Sequence, residues 1–215
     1  MHDGVRRWIG LSGIAGPIAL TVYFGAPAFL GWPYAGGRAT DLAAYASSHE
    51  TLFYAGAWFQ AVGTLLSVVF FAGLVALSGS TTQVTRLMTI VASPSLLAVV
   101  LIEAAFLVAV PAAAVAGDLA TVATTFALSN GTFARVFAIG PAPATYIALG
   151  LMLDGGRPLG VGFARGALVL GVAFAAAGLI AVFATACVIQ TVVHSVVQEA
   201  LDPGGGGHPS AVAGH

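Results

Sequence analysis

Four polar side chains stand where an apolar chain has least use for them: Tyr23, Gln60, Glu103 and Arg135. Each falls inside or at the edge of an apolar run of about 20 residues or more, the length that crosses a bilayer. An ionisable group at such depth costs at least about 2.5 to 3.5 kcal/mol on insertion scales, so it normally turns inward and finds a partner. At about 1.5 Å of helix rise per residue, Glu103 lies about 12 Å along its run from Pro111 and Gln60 about 12 Å from Leu52. Tyr23 lies about 10 Å from Leu30, so the three share one level. Arg135 enters its own run only about 6 Å from the same side, and its long side chain can point inward. The expected arrangement is a polar cluster in the outer leaflet, with Glu103 and Arg135 paired and Gln60 and Tyr23 completing the hydrogen bonds. Such a cluster is either a ligand pocket open to the outside or a structural tie between helices, with Arg135 reaching out to the interface and a protonated Glu103 bonding Gln60 or a backbone carbonyl. A proton route would need a second carboxylate or histidine deeper in, and the inner half of the sequence offers none.

Other motifs carry less. Gly10-Leu-Ser12-Gly13 fits the Gly-x-Ser-Gly pattern around the nucleophile of rhomboid intramembrane proteases. Its nearest candidate base, His194, is expected at the far end of another span, whereas a nucleophile and base must lie within about 3 Å. Gly160-Val-Gly162-Phe-Ala-Arg-Gly166 has the wrong spacing for a dinucleotide loop and reads as a turn entering a helix. Gly162 and Gly166 also begin a small-residue face, continued by Ala167, Gly171 and Ala175, against which another helix can pack. His49 and His194 lack a third ligand at suitable spacing, so no metal or other cofactor is expected. The single cysteine, Cys187, sits in an apolar run as a small hydrophobe, which excludes an intrachain disulfide.

The composition dictates what must hold these residues. Of 215 residues, 59% are hydrophobic and 7% charged, against about 25% charged in a soluble domain. There is too little polar surface to clothe a soluble globule, so the expected fold is all-α: an integral membrane bundle of five transmembrane helices. Gaps between charges place the spans near residues 8–30, 53–77, 87–110, 132–153 and 164–190, within one helical domain over 1–201. Gly16-Pro17 and Pro27 predict bends in the first span. The tail 202–215 is Gly-rich and non-packing.

Two connections are longer than plain turns. Residues 40–50 align Leu42, Tyr45, Ala46 and His49 on one stripe after a possible Thr40 cap. Residues 118–129 align Leu119, Val122, Ala123 and Phe126 after Asp118. Both read as short amphipathic helices lying on the outer membrane surface. They open alike, Asp41-Leu-Ala-Ala-Tyr-Ala and Asp118-Leu-Ala-Thr-Val-Ala, as two duplicated hairpins would, although alanine-rich chains also match by chance. Trp8, Trp32, Tyr34, Tyr45 and Tyr54 fall where spans enter or leave, as interfacial anchors do.

Every basic residue is Arg, and their placement sets the topology. Arg6, Arg7, Arg86, Arg157 and Arg165 share one side, Arg38 and Arg135 the other, which predicts a cytoplasmic N-terminus and an outside C-terminus. With seven basic and eight acidic residues there is no basic patch for nucleic acid.

The stretch Asp41-Leu-Ala-Ala-Tyr-Ala-x-x-His49, continued by Gly56-Ala-Trp-Phe-Gln60 and later by Ala127-Leu-Ser-Asn130, resembles small multi-pass membrane proteins of unknown function from high-GC bacteria. The resemblance implies a bacterial inner membrane and supplies no catalytic residue. The resulting expectation is a non-enzymatic protein that binds a lipid-like or small amphipathic ligand, or a partner helix, through its outer half. Its site would be Glu103, Arg135, Gln60 and Tyr23, its partners membrane lipid and a second membrane protein. The alternatives are an accessory subunit of a transporter, or an intramembrane enzyme using Glu103.

Overall fold

The computed structural model describes residues 3–33, 36–78, 83–156 and 159–201, with side chains apart from 27–28, 155–156 and 182–201. Tyr34, Arg157 and the tail 202–215 lie outside the described residues, as do the side chains of Cys187 and His194. Helices α1 (Asp3–Leu30), α2 (Ala39–Ser48), α3 (Glu50–Leu77), α4 (Gln83–Val115) and α5 (Leu119–Gly131) follow in order. A π-helix, Thr132–Phe137, then leads to α6 (Pro141–Gly156) and α7 (Val161–Leu201). Five of the described runs are long and apolar enough to cross a membrane: in α1, α3, α4, the combined stretch Leu119–Asp154, and α7. The protein is an all-α, multi-pass membrane protein. Contacts group Met1–Gly178 into one compact unit and Leu179–His215 into another, the second containing the rest of α7.

Within the first unit α1 packs along α3, α3 along α4, and α4 along both α5 and α6. The α1–α3 seam is close because glycines face it. A Cβ added at Gly16 would stand 2.7 Å from Ser67 Oγ and 2.9 Å from the Gly63 carbonyl, and one at Gly63 would stand 3.1 Å from the Gly16 carbonyl. Such backbone-to-backbone approach replaces the hydrophobic drive that lipid cannot provide. α1 is helical through Gly16-Pro17. Where α6 meets α7 the near approach uses Gly150 and Gly171, whose added Cβ atoms would reach Leu168 and Ile147.

Two apolar cores stack along the bundle. One joins Phe71, Leu74, Leu96, Val100, Phe137, Leu149 and Met152 with Ala164 of α7. The other joins Leu42 and Ala46 of α2, Phe53 and Ala57 of α3, Leu107 and Val110 of α4, and Val122 and Phe126 of α5. The two short helices thus bury their stripes in one another and in α4, not in a lipid surface.

Local signals set the ends of these helices. Asp118 caps α5, accepting from the Thr121 backbone N–H at 3.0 Å. Thr121 also donates its hydroxyl to the same carboxyl, which holds Asp118 below the usual carboxylate range. Thr40 is not the cap of α2: the helix begins at Ala39 after an extended Arg38 whose side chain makes no cap bond. Arg38 instead grips Asp41 with two hydrogen bonds, Nε to Oδ2 at 2.9 Å and Nη2 to Oδ1 at 3.0 Å. That bond holds the Asp41 carboxyl low and leaves a negative charge in the first turn, where the helix dipole favours it.

The α-helical pattern breaks before Pro141, which has no N–H for the Phe137 carbonyl and would collide with it. The chain widens instead into the π-helix, with Ala138 N–H reaching the Phe133 carbonyl at 3.4 Å, and restarts with Pro141 at the first helical position. Among the hairpins, α1–α2–α3 and α4–α5–α6 both follow a long–short–long order, but different positions are buried: Leu42 and Ala46 against Val122 and Phe126.

The seam gives a first expectation. Gly16→Val forces α1 from α3 and lowers stability in detergent by about 1–3 kcal/mol, read as a lower thermal unfolding midpoint by circular dichroism. Gly10→Val, where an added Cβ meets nothing within 4 Å, leaves the midpoint unchanged or higher.

Candidate functional site

Between the two cores lies a polar layer built from three helices. On α3, Gln60 falls between Phe53 and Ala57 of one core and Phe71 of the other; on α4, Glu103 falls between Val100 and Leu107. Fixed helix rise brings them level, and the α3–α4 packing turns both inward: Glu103 is 2% exposed and Gln60 1%. Gln60 Nε2 donates to Glu103 Oε2 over 2.5 Å. From α1, the Tyr23 hydroxyl donates to Glu103 Oε1 over 2.9 Å. One carboxyl thereby ties three helices, and both of its oxygens act as acceptors. Each carboxyl oxygen has accepted one hydrogen bond, which leaves the group further acceptor capacity. Gln60 Oε1 is buried without a hydrogen-bond partner.

Arg135 does not join them. It is exposed on the π-helix, and among the described residues the one ion pair is Arg38–Asp41. The reason is local. Phe133 and Phe137 stack at 5.1 Å on the inward side of the π-helix, and Arg135, midway between them in the chain, is carried to the opposite side. The interior pairing expected from sequence is therefore replaced by aromatic packing.

Beside the carboxyl is a cavity of about 240 Å³. Its walls are Tyr23 and Phe24 from α1, Trp32 from the α1–α2 connection, Glu103 from α4, Ser129 and Asn130 from α5, and Phe133 from the π-helix. α1 leans on α3, and α5 on α4 and α2, so the cavity occupies the gap between α1 and α5. Trp32 is fixed by its neighbours: its ring lies 5.1 Å from Phe53 and stacks on Phe126 at 5.6 Å. It is thus half-buried against α3 and α5, whereas Trp8 is 73% exposed. Tyr45 stacks on His49 at 4.1 Å and donates its hydroxyl to the Leu30 carbonyl at 3.1 Å, holding the α1–α2 connection. Asn130 Nδ2 is engaged with the Phe126 carbonyl at 2.8 Å.

Phe24 and Phe133, 5.2 Å apart, separate this cavity from further space. Behind them Gln60, Thr64 and Ser67 border an inner void of about 70 Å³. Beyond it an apolar groove of about 580 Å³ runs between α1 and α7, floored by Ser67, Phe70 and Tyr146. Gly162 and Gly166 line that groove, and an added Cβ at either would meet nothing within 4 Å, so this part of the small-residue face is uncovered by the chain's other helices.

The Ser12 hydroxyl donates to the Ile9 carbonyl at 2.8 Å, an ordinary intrahelical bond. Among the described residues no group of three His, Cys, Asp or Glu side chains is placed to hold a metal ion. Trp32, Phe24, Ser129 and Phe133 were missed by sequence reasoning. Asn130 stood in the quoted Ala127-Leu-Ser-Asn130 stretch, but nothing in its spacing aimed it at Glu103. Comparison with known proteins finds no matching family model, no similar curated protein and no similar solved structure.

A double-mutant cycle separates the real contact from the absent one. Tyr23→Phe removes a donor from a buried carboxyl and costs about 1–3 kcal/mol in detergent unfolding. Combined with Glu103→Leu, its loss falls short of the sum of the two single losses by about 1 kcal/mol, whereas Arg135→Gln changes little and adds to Glu103→Leu. Strict additivity for the tyrosine pair would show that the bond contributes nothing.

Proposed function

We propose that the chain is a non-enzymatic protein of a bacterial plasma membrane that binds an amphipathic, lipid-like small molecule beside Glu103. One observation carries the reading: a buried carboxyl with acceptor capacity to spare lines a cavity far larger than the share of a single water, about 30 Å³. Polar groups here are few and convergent, and the walls are apolar or aromatic, the usual make-up of a small-molecule site. The groove between α1 and α7 lies on the far side of Phe24, and a turn of that exposed ring would open it to the ligand's hydrocarbon part. Both groups that touch Glu103 donate hydrogen bonds to it, which supports a positioned recognition group in preference to a reacting one. The resemblance to small membrane proteins of high-GC bacteria supports the same setting.

Arginine placement supports a cytoplasmic N-terminus, which puts the Glu103 cavity and α2 in the outer half. A second reading, a partner protein's helix seated in the groove as in an accessory subunit of a transporter, is favoured by the open face at Gly162 and Gly166.

Native mass spectrometry after gentle extraction tests the site: the intact protein is expected to carry one amphiphile, and Ser129→Leu, which fills the cavity from a buried position, to lose it. Equal adducts on both proteins, or none on either, overturn the reading, and a co-purifying protein in place of an amphiphile selects the partner-helix alternative. For topology, Ser47→Cys in a Cys187→Ser background is expected to react with a membrane-impermeant maleimide in intact cells, and Gly4→Cys only after permeabilisation. The reverse pattern would invert the orientation.

A further inference from the structure

Resting on that reading, we infer that the ligand beside Glu103 carries an organic ammonium group, held by the carboxyl and by the ring faces of Tyr23, Phe24, Trp32 and Phe133. Four aromatic rings and one carboxyl line a single cavity of about 240 Å³. Aromatic faces carry the negative lobe of the ring quadrupole and attract a cation within about 6 Å of the ring centre, more strongly when water is excluded. Trp32 is wedged against Phe53 and Phe126, while Tyr23 meets Phe24 edge-on at 5.0 Å and Phe24, itself exposed, lies 5.2 Å from Phe133.

Charge points the same way. Among the described residues no arginine is paired with Glu103: the one ion pair there is Arg38–Asp41, and Arg135 is exposed. An intramembrane acid normally faces the interior or a cavity and takes a partner there, and the cavity beside Glu103 is where a cation can meet it. Tyr23 gives its one hydroxyl hydrogen to Glu103, and Asn130 gives one of its two amide hydrogens to the Phe126 carbonyl. The acidic group on the wall disfavours an anion, whereas an ammonium finds that carboxyl and four ring faces. The shared chemistry, a positively charged nitrogen bearing hydrocarbon, belongs equally to a lipid amine headgroup and to a free alkylammonium.

The full chain in phosphatidylglycerol nanodiscs tests this, with Trp32 left as the one tryptophan by Trp8→Phe and Trp58→Phe, both at exposed positions. Hexyltrimethylammonium is titrated against its neutral isostere 2,2-dimethyloctane and against hexanesulfonate, following Trp32 fluorescence. The cation is expected to bind about tenfold more tightly than either or better, and Glu103→Gln to abolish the preference. Phe133→Leu, which leaves the carboxyl and its donors in place, is expected to weaken the cation several-fold and the isostere little. Adding phosphatidylethanolamine to the nanodiscs distinguishes the sources: competition identifies a lipid headgroup, and unchanged affinity a free amine. Equal binding of cation and isostere, or a preference that survives both Glu103→Gln and Phe133→Leu, overturns the ammonium assignment while leaving an amphiphile pocket. If none of the three probes binds, the pocket itself is wrong.

Discussion

A carboxyl group in hydrocarbon has to be answered by its neighbours, and Glu103 is answered from two sides. Tyr23 and Gln60 come from helices that touch α4 only if the bundle is assembled in one register, so the hydrogen bonds at Glu103 specify where α1, α3 and α4 stand along their axes. The apolar cores above and below could tolerate small slides, because leucine and phenylalanine pack against one another non-directionally. The polar layer could not, since a shift of one residue would leave a buried acceptor without its donor. Placing that layer between two cores also keeps lipid from the carboxyl on most sides, so the open side acquires meaning as a way in.

How much of this was written in the chain depends on which physical rule each part obeys. The five spans follow from composition and charge spacing alone, because bilayer thickness sets helix length. The level shared by Tyr23, Gln60 and Glu103 follows from constant helix rise, so the contact among them was legible by counting. Counting assumes an unbroken helix, and there the Arg135 pairing failed. Pro141 diverts the helix into a π-turn, the angular position of every residue before it changes, and Phe133 takes the inward place. Trp32 was hidden for another reason: it lies in a connection, where no periodicity tells which way a side chain turns. The surface helices were found, but not their packing, since an apolar stripe does not say whether lipid or protein will cover it.

The site also shows how little polar material a membrane cavity requires. One carboxyl, one phenol, one hydroxyl and one amide sit among aromatic walls. The carboxyl that lines the cavity is also the one that accepts the hydrogen bonds holding three helices in register, so the cavity and the register depend on the same atoms.

Chain order adds a last consequence. Both donors, Tyr23 and Gln60, precede their acceptor in the sequence, and the glycine seam between α1 and α3 is built from residues that precede α4. A ribosome working from the N-terminus delivers that helical pair to the lipid first. When Glu103 follows, it enters beside ready-made donors, and the most awkward residue in the protein is the one whose welcome has been prepared before it is synthesised.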